Sequence, residues 1–256
     1  MDKPNKAKNP VKGVQKMIEV VEALKQNNGA RVSNLAEEVD LPKSSIHNYL
    51  STLREAGFVV KRDQKYHVGL RFLDFGSFAR SRYDLFEIAK PEVEKIAAQT
   101  GELSNLMVEE QGIGVYLHRA AGNQAVNVDA RMGHRVKMHN TALGKAILAY
   151  KSKEEVNQIL DSHGMNQTTA NTIVDKEQLF EQLREVRENK IAYDMEERLP
   201  GLRCVAAPIT SEENTVIGAI SVSGPTSRFS EERLNEEIPE VLRNATNIIE
   251  LNVTYP

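Results

Sequence analysis

Cys204 is the only cysteine in 256 residues, and it sits in the largely apolar stretch RLPGLRCVAAPI at 198–209. A lone thiol can attack as a thiolate, hold a metal, or line a pocket without reacting. Attack needs a base or a cation that lowers the thiol pKa, and redox work needs a resolving partner. No histidine or second cysteine lies near it in sequence, and Arg203 points to the other face of an extended strand. A metal site needs more ligands, and His134 and His139 lie five apart with no third nearby. Whether it is instead one wall of a pocket depends on what surrounds it.

The partners of such a wall come from the next apolar segment, VIGAISVSG at 216–224, joined to the first by the polar link TSEENT. Two β-type runs with a short polar link read as a hairpin. A four-residue loop over 211–214 pairs Thr210 with Thr215 and, counting back, Cys204 with Ser221. Alternation then places Cys204, Ser221 and Ser223 on one surface. Polar groups inside apolar strands are costly to bury unpaired, so they need each other, water or a ligand.

Around this hairpin the chain reads as an α+β domain. Strands are expected at LSNLMVE, GVYLHRA and AVNVD, and helices at TALGKAILAY, at SKEEVNQIL with a Ser152/Glu155 capping box, and at 175–189. Phe229 and Ser230 open a last helix with Leu234, Ile238, Val241, Leu242, Ala245, Ile248 and Ile249 as its buried stripe. Strands bracketed by helices point to a sheet with helices on one face. Catalytic signatures fail. Gly144-Lys145 is no phosphate loop, since His139 stands where the first glycine belongs and Ala146 where a hydroxyl must hold magnesium. Gly112 and Gly114 lack their third glycine, Leu117 being in its place, and no GxSxG occurs. No catalytic residue, metal or cofactor is assigned.

The first seventy residues carry a different chemistry. Val14, Met17, Ile18, Val21 and Leu24 line one helix face. Ser33 is placed to cap a short second helix with Leu35, Ala36 and Val39. A third helix from Lys43 to Ala56 buries Ile46, Tyr49, Leu50 and Leu53 and ends at Gly57. The last two make a helix-turn-helix. Its outward face offers Ser44, His47, Asn48 and Ser51, with Lys43 and Ser45 at the helix start: hydroxyls for phosphates and an amide able to pair with an adenine edge. FVVKRDQKYHV at 58–68 follows as a hairpin wing whose Lys61, Arg62 and Lys65 suit a DNA backbone. Residues 1–70 hold 12 Lys and Arg against 8 Asp and Glu, a surplus of +4, and the remaining residues 21 against 28, or −7. A helical run over 71–89, with Phe72, Phe75, Ala79 and Phe86, joins the two parts, and its aromatic stripe is expected to be shared between subunits; Gly76 is its weak point. A further helix with Val93, Ile96 and Ala97 ends at Gly101. With no membrane-length apolar run and no apolar leader, a soluble cytoplasmic protein is expected.

The segments PKSSIHNYLSTLREAGFV, YHVGLRFLDFG, HNTALGKAILA, DMEERLPGLRCVAAPI and AISVSGP, in that order over nearly the whole chain, resemble the IclR-type transcriptional regulators. The resemblance implies a winged helix-turn-helix at 1–70, a linker and dimerisation helix at 71–86, and a GAF-like effector-binding domain at 87–256. It implies binding to double-stranded operator DNA as a homodimer or dimer of dimers, and control by a small effector such as a carboxylate. Carried over by position, the effector site falls on Val128, Ala142, Leu143, Asp194, Cys204, Ser221 and Ser223. The start of the TALGKA helix would hold a carboxylate through free N–H groups, while Asp194 would accept from a ligand hydroxyl or from the protein. Asn48 stands where many members carry arginine. The competing reading is a thiol-dependent redox sensor or enzyme on a GAF-like scaffold using Cys204.

Overall fold

A computed structural model describes residues 7–128 and 131–255, which divide in sequence between Arg80 and Ser81 into two units. In the first, α1 (Lys12–Gln26), α2 (Val32–Glu38) and α3 (Lys43–Glu55) enclose a core of Val20, Leu24, Leu35, Ile46, Leu50 and Leu53, completed by Val59 and Tyr66. The expected helix faces need two corrections. Val14 and Ile18 are about half exposed, because contact with α2 and α3 selects the arc of α1 that carries Val20, Ala23 and Leu24 from an apolar stripe wider than one interface. Tyr49 is only half-buried. Ser33 does not cap α2; Arg31 holds the N-cap position without a side-chain bond, and the Ser33 hydroxyl donates to Asn34 Oδ1.

The wing is the antiparallel pair β1 (Val59–Arg62) and β2 (Lys65–Val68). Asp63 and Gln64 between them both have positive φ, 44° and 68°, the two-residue turn whose twist matches paired strands. A single linker helix does not form. The run breaks at residues 82–83, giving α4 (Arg71–Ser81) and α5 (Asp84–Thr100). Gly76 sits inside α4, and Pro91, beside which the expected boundary lay, is accommodated within α5. Phe72 and Phe75 pack against Phe58 with ring centroids 4.9 and 5.4 Å away, and α4 buries none of its residues. Phe86 is not part of that stripe: it is buried in the core of the second unit.

The second unit is built on a six-stranded antiparallel sheet in the order β5-β4-β3-β8-β7-β6. Its strands are β3 (Leu103–Glu110), β4 (Ile113–Ala121), β5 (Arg135–Val136), β6 (Ala192–Met195), β7 (Leu202–Thr210) and β8 (Val216–Pro225). The strand expected at 125–129 does not form; residues 125–128 are coil, and Asp129 lies outside the described residues. The short β5 and β6 carry too few residues for alternation to reveal them.

Helices cover both faces of the sheet, not one. On one side α5 and α9 (Ile238–Thr254) pack on Leu106, Val108, Val205, Ala207, Ile220 and Val222. On the other, α6 (Ala142–Leu148), α7 (Lys153–His163) and α8 (Lys176–Asn189) pack on Met107, Ala192, Ala206 and Ala219. Near-continuous apolar runs in β7 and β8 are what burial on both faces demands. The Ser152/Glu155 capping box is present. In the last helix a π-helical turn over Arg233–Glu237 precedes α9, and Ile248 is exposed, outside the buried stripe.

Candidate functional site

The polar face of α3 forms as its spacing implies. Lys43, Ser44, His47 and Asn48 are exposed, and Ser45 and Ser51 half-buried. The Ser51 hydroxyl lies 3.4 Å from His47 Nδ1. Arg62 and Lys65, both exposed, face each other across the tip of the wing.

In the second unit the hairpin register differs from the expected one. The link closes through a Ser211 N–H bond to the Thr215 carbonyl and a bulge after Ile209, so Cys204 pairs with Ser223, and Ser221 with Ala206. The slip is by two residues, and an even slip keeps every side chain on its face. Leu103, Ser223, Cys204 and Asp194 are successive partners across β3, β8, β7 and β6; Asn105, Ser221 and Ala206 form the next row. Apart from Ala206, these residues are the floor of a small, partly open cavity.

All seven residues placed at the effector site by position line this cavity. Ala142 and Leu143 bring the first turn of α6, where Thr141 is the N-cap and its hydroxyl accepts the Gly144 N–H at 3.0 Å. Gly144 is required there, since a Cβ would lie 2.2 Å from the Met138 carbonyl oxygen. Val128 is held by its carbonyl, which accepts from Arg119 at 2.9 Å.

Sequence reasoning missed Leu103, Asn105, Tyr116, Thr141, Arg198 and Leu202, which also line the cavity. Asn105 had a signal, a polar residue on the buried face of LSNLMVE, like the two serines. Arg198 opens the same RLPGLRC segment as the cysteine, and its guanidinium donates to the Tyr116 hydroxyl at 2.7 Å. The segment before it is tightly held. Asp194 Oδ1 accepts the N–H groups of Glu197 at 2.7 Å and Arg198 at 3.4 Å. Glu197 pairs with the buried Lys145 at 2.5 Å, and its carbonyl accepts from Thr168, Thr169 and Thr172.

Burial dominates the titrations. It raises the Asp194 carboxyl to about 6, with the Glu197 charge adding to the rise. It also pushes the Cys204 thiol well above its ordinary value, Asp194 again adding to the effect. A thiol held in that state is not a nucleophile at neutral pH. His139 is buried, and burial lowers its pKa; its Nε2 lies 3.3 Å from the Asn166 carbonyl. The cavity therefore holds one guanidinium, one carboxyl of raised pKa, hydroxyls, an amide and a helix start: equipment for binding, with no activated attacking group.

Comparison with known proteins decides the family. Residues 78–250 match the family model described as bacterial transcriptional regulator IclR C-terminal, and residues 13–63 the IclR helix-turn-helix domain. The chain belongs to the IclR family of transcriptional regulators. It is 31% identical to the HTH-type transcriptional regulator KdgR of Escherichia coli, over 98% of this chain and 96% of that one. It is 30% identical to the probable HTH-type transcriptional regulator ArcR of Halobacterium salinarum, over 95% and 94%. The crystal structure of the Thermotoga maritima IclR superposes with a TM-score of 0.78 at 30% identity, covering 95% of this chain and 98% of that one. An IclR homolog from Microbacterium hydrocarbonoxydans, solved in complex with 4-hydroxybenzoate, shares the fold with a TM-score of 0.78 at 24% identity, covering 94% and 98%. This IclR-family chain is thus a DNA-binding regulator with an N-terminal helix-turn-helix and a C-terminal effector-binding domain.

Proposed function

We propose that this regulator recognises operator DNA through α3 and the wing, and that a small carboxylate in the cavity above β3, β8, β7 and β6 alters that binding. The observation that carries the reading is the convergence of Arg198, the first turn of α6 and the side chains of Ser221 and Ser223 on one cavity. A guanidinium matches a carboxylate by paired hydrogen bonds. The homolog solved with 4-hydroxybenzoate, itself a carboxylate, supports the class of ligand. The high-pKa thiol of Cys204 is a wall of the cavity, which makes this a sensor that returns its ligand unchanged.

Residues 1–70 are the DNA-binding part and 87–256 the effector domain. Within 71–86, α4 is the dimerising element, since Phe72, Leu73 and Phe75 keep 37%, 64% and 52% exposure. No helix among the described residues is long and apolar enough to cross a membrane, in keeping with a cytoplasmic regulator. The test is calorimetric titration of small carboxylates into the full chain, followed by mass spectrometry. Stoichiometric binding with ligand and protein recovered intact is expected, together with a changed gel shift on pseudo-palindromic DNA whose half-sites lie about 10 bp or a multiple apart. Asn48→Ala should relax the preference at one base pair per half-site, at a cost of about 1–3 kcal/mol, and Lys65→Ala should weaken all sequences alike. Turnover of the ligand, or a Cys204 adduct needed for the response, would refute the sensor.

A further inference from the structure

The cavity floor holds one polar group whose bonding is incomplete. Asn105 is 3% exposed. Asn105 lines the cavity; its Nδ2 donates to Ser221 Oγ at 3.3 Å, but its buried Oδ1 has no hydrogen-bond partner. Buried side-chain oxygens are nearly always paired, and an orphan at a binding surface marks a bond that the surface leaves open. Its neighbours on the floor do not supply it. The Ser221 hydroxyl bonds the Nδ2 end of the amide and not Oδ1, and the Cys204 thiol is within hydrogen-bonding reach of Ser223 and Asp194. Asp194 adds no second open acceptor, since it takes two backbone N–H groups through Oδ1 and is bonded by the Cys204 thiol. A plain fatty or aromatic acid, ionised, has no hydrogen to give the Asn105 oxygen.

We propose that the effector is a hydroxy acid, whose carboxylate is taken by Arg198 and whose hydroxyl donates to Asn105 Oδ1. This rests on the reading of the cavity as a carboxylate site and adds a second recognition point to it. Asn105 is then the residue that sets specificity between a hydroxylated acid and its deoxy counterpart. A site that hydrogen-bonds a ligand hydroxyl rejects the analogue lacking it, because the buried acceptor is stranded when the analogue binds.

The experiment uses the full chain and matched pairs of acids: three- to six-carbon hydroxy acids with the hydroxyl at each position, their unsubstituted parents, and 4-hydroxybenzoate with benzoate. Affinities are read by calorimetry. In the wild type at least one hydroxy acid should bind about tenfold to a hundredfold tighter than its parent. In Asn105→Leu that ratio should fall to about one while the parent acid still binds. Asn105→Asp keeps an acceptor and no donor, so it should keep the preference even if both members of a pair bind more weakly. Parents binding as tightly as hydroxy acids in the wild type would overturn the inference and leave the carboxylate site standing. A preference that survives in Asn105→Leu, or is lost in Asn105→Asp, would overturn the role of Asn105. No binding of any carboxylate would sink the underlying reading instead. The wild-type comparison stands even if a variant fails to fold.

Discussion

Asp194→Asn offers the sharpest check on how the cavity is balanced. In the folded chain burial and the Glu197 charge raise the Asp194 carboxyl from 3.8 to about 6. The folded state therefore holds this proton more tightly than the unfolded chain. The associated stability is fully present below about pH 3.8, declines as pH rises, and is lost once pH passes about 6. A shift of that size corresponds to about 3 kcal/mol carried as a penalty at neutral pH. Asparagine keeps the Oδ1 that accepts from Glu197 and Arg198 and removes the buried charge. At pH 7.5 the variant should be more stable by about 2–3 kcal/mol, read by scanning calorimetry as a rise of roughly 4–12 °C in the midpoint of the effector domain. The difference should shrink towards zero near pH 4. In the wild type, carboxylate affinity should also strengthen as pH falls from 7.5 to 6, because protonation removes a negative charge beside the anion, and in the variant that slope should flatten. Parallel stability profiles of wild type and variant between pH 4 and 7.5 would refute the reasoning.

Lys145→Met should cost about 3–5 kcal/mol in urea unfolding, because Glu197 is left as an uncompensated buried charge, and the double variant with Glu197→Leu should recover most of the loss; equal losses in single and double variants would contradict this. Cys204 should react with iodoacetamide at pH 7.5 far more slowly in the native chain than in urea, and Cys204→Ser should still fold and shift operator DNA; fast native labelling would show that the thiol is not held in its high-pKa state. Phe72→Ser with Phe75→Ser should lower the mass seen by light scattering from a dimer or larger towards 28.7 kDa; a wild type already at that mass at micromolar concentration would remove α4 as a subunit contact.

The parts most legible in the sequence were those governed by local rules. Helix periodicity located α1 and α3, cap chemistry marked the start of α7, and the wing followed from its apolar run and turn. The floor of the cavity was legible because alternation depends on parity: Cys204, Ser221 and Ser223 share a face in the expected register and in the real one. What escaped was set at a distance. Nothing local chooses which arc of the broad stripe on α1 is buried, or turns Phe86 into the second unit's core instead of a subunit contact. β6 is four residues long and depends on β7 for its existence. Arg198 lay outside any periodic element, in a turn whose path is fixed by Lys145 and three threonines far away in sequence.

The bond between Arg198 and Tyr116 has a mechanical side. Tyr116 belongs to β4 and Arg198 follows β6, with β3, β8 and β7 between them. Laid flat, those strands would separate the two positions by about 19 Å, more than the two side chains could comfortably close. A 2.7 Å bond exists because the sheet bends, and the bond acts as a chord drawn across that arc. If a carboxylate is taken by Arg198 as proposed, it competes with the Tyr116 hydroxyl for the guanidinium, and the tie between the two ends of the sheet is what it loosens.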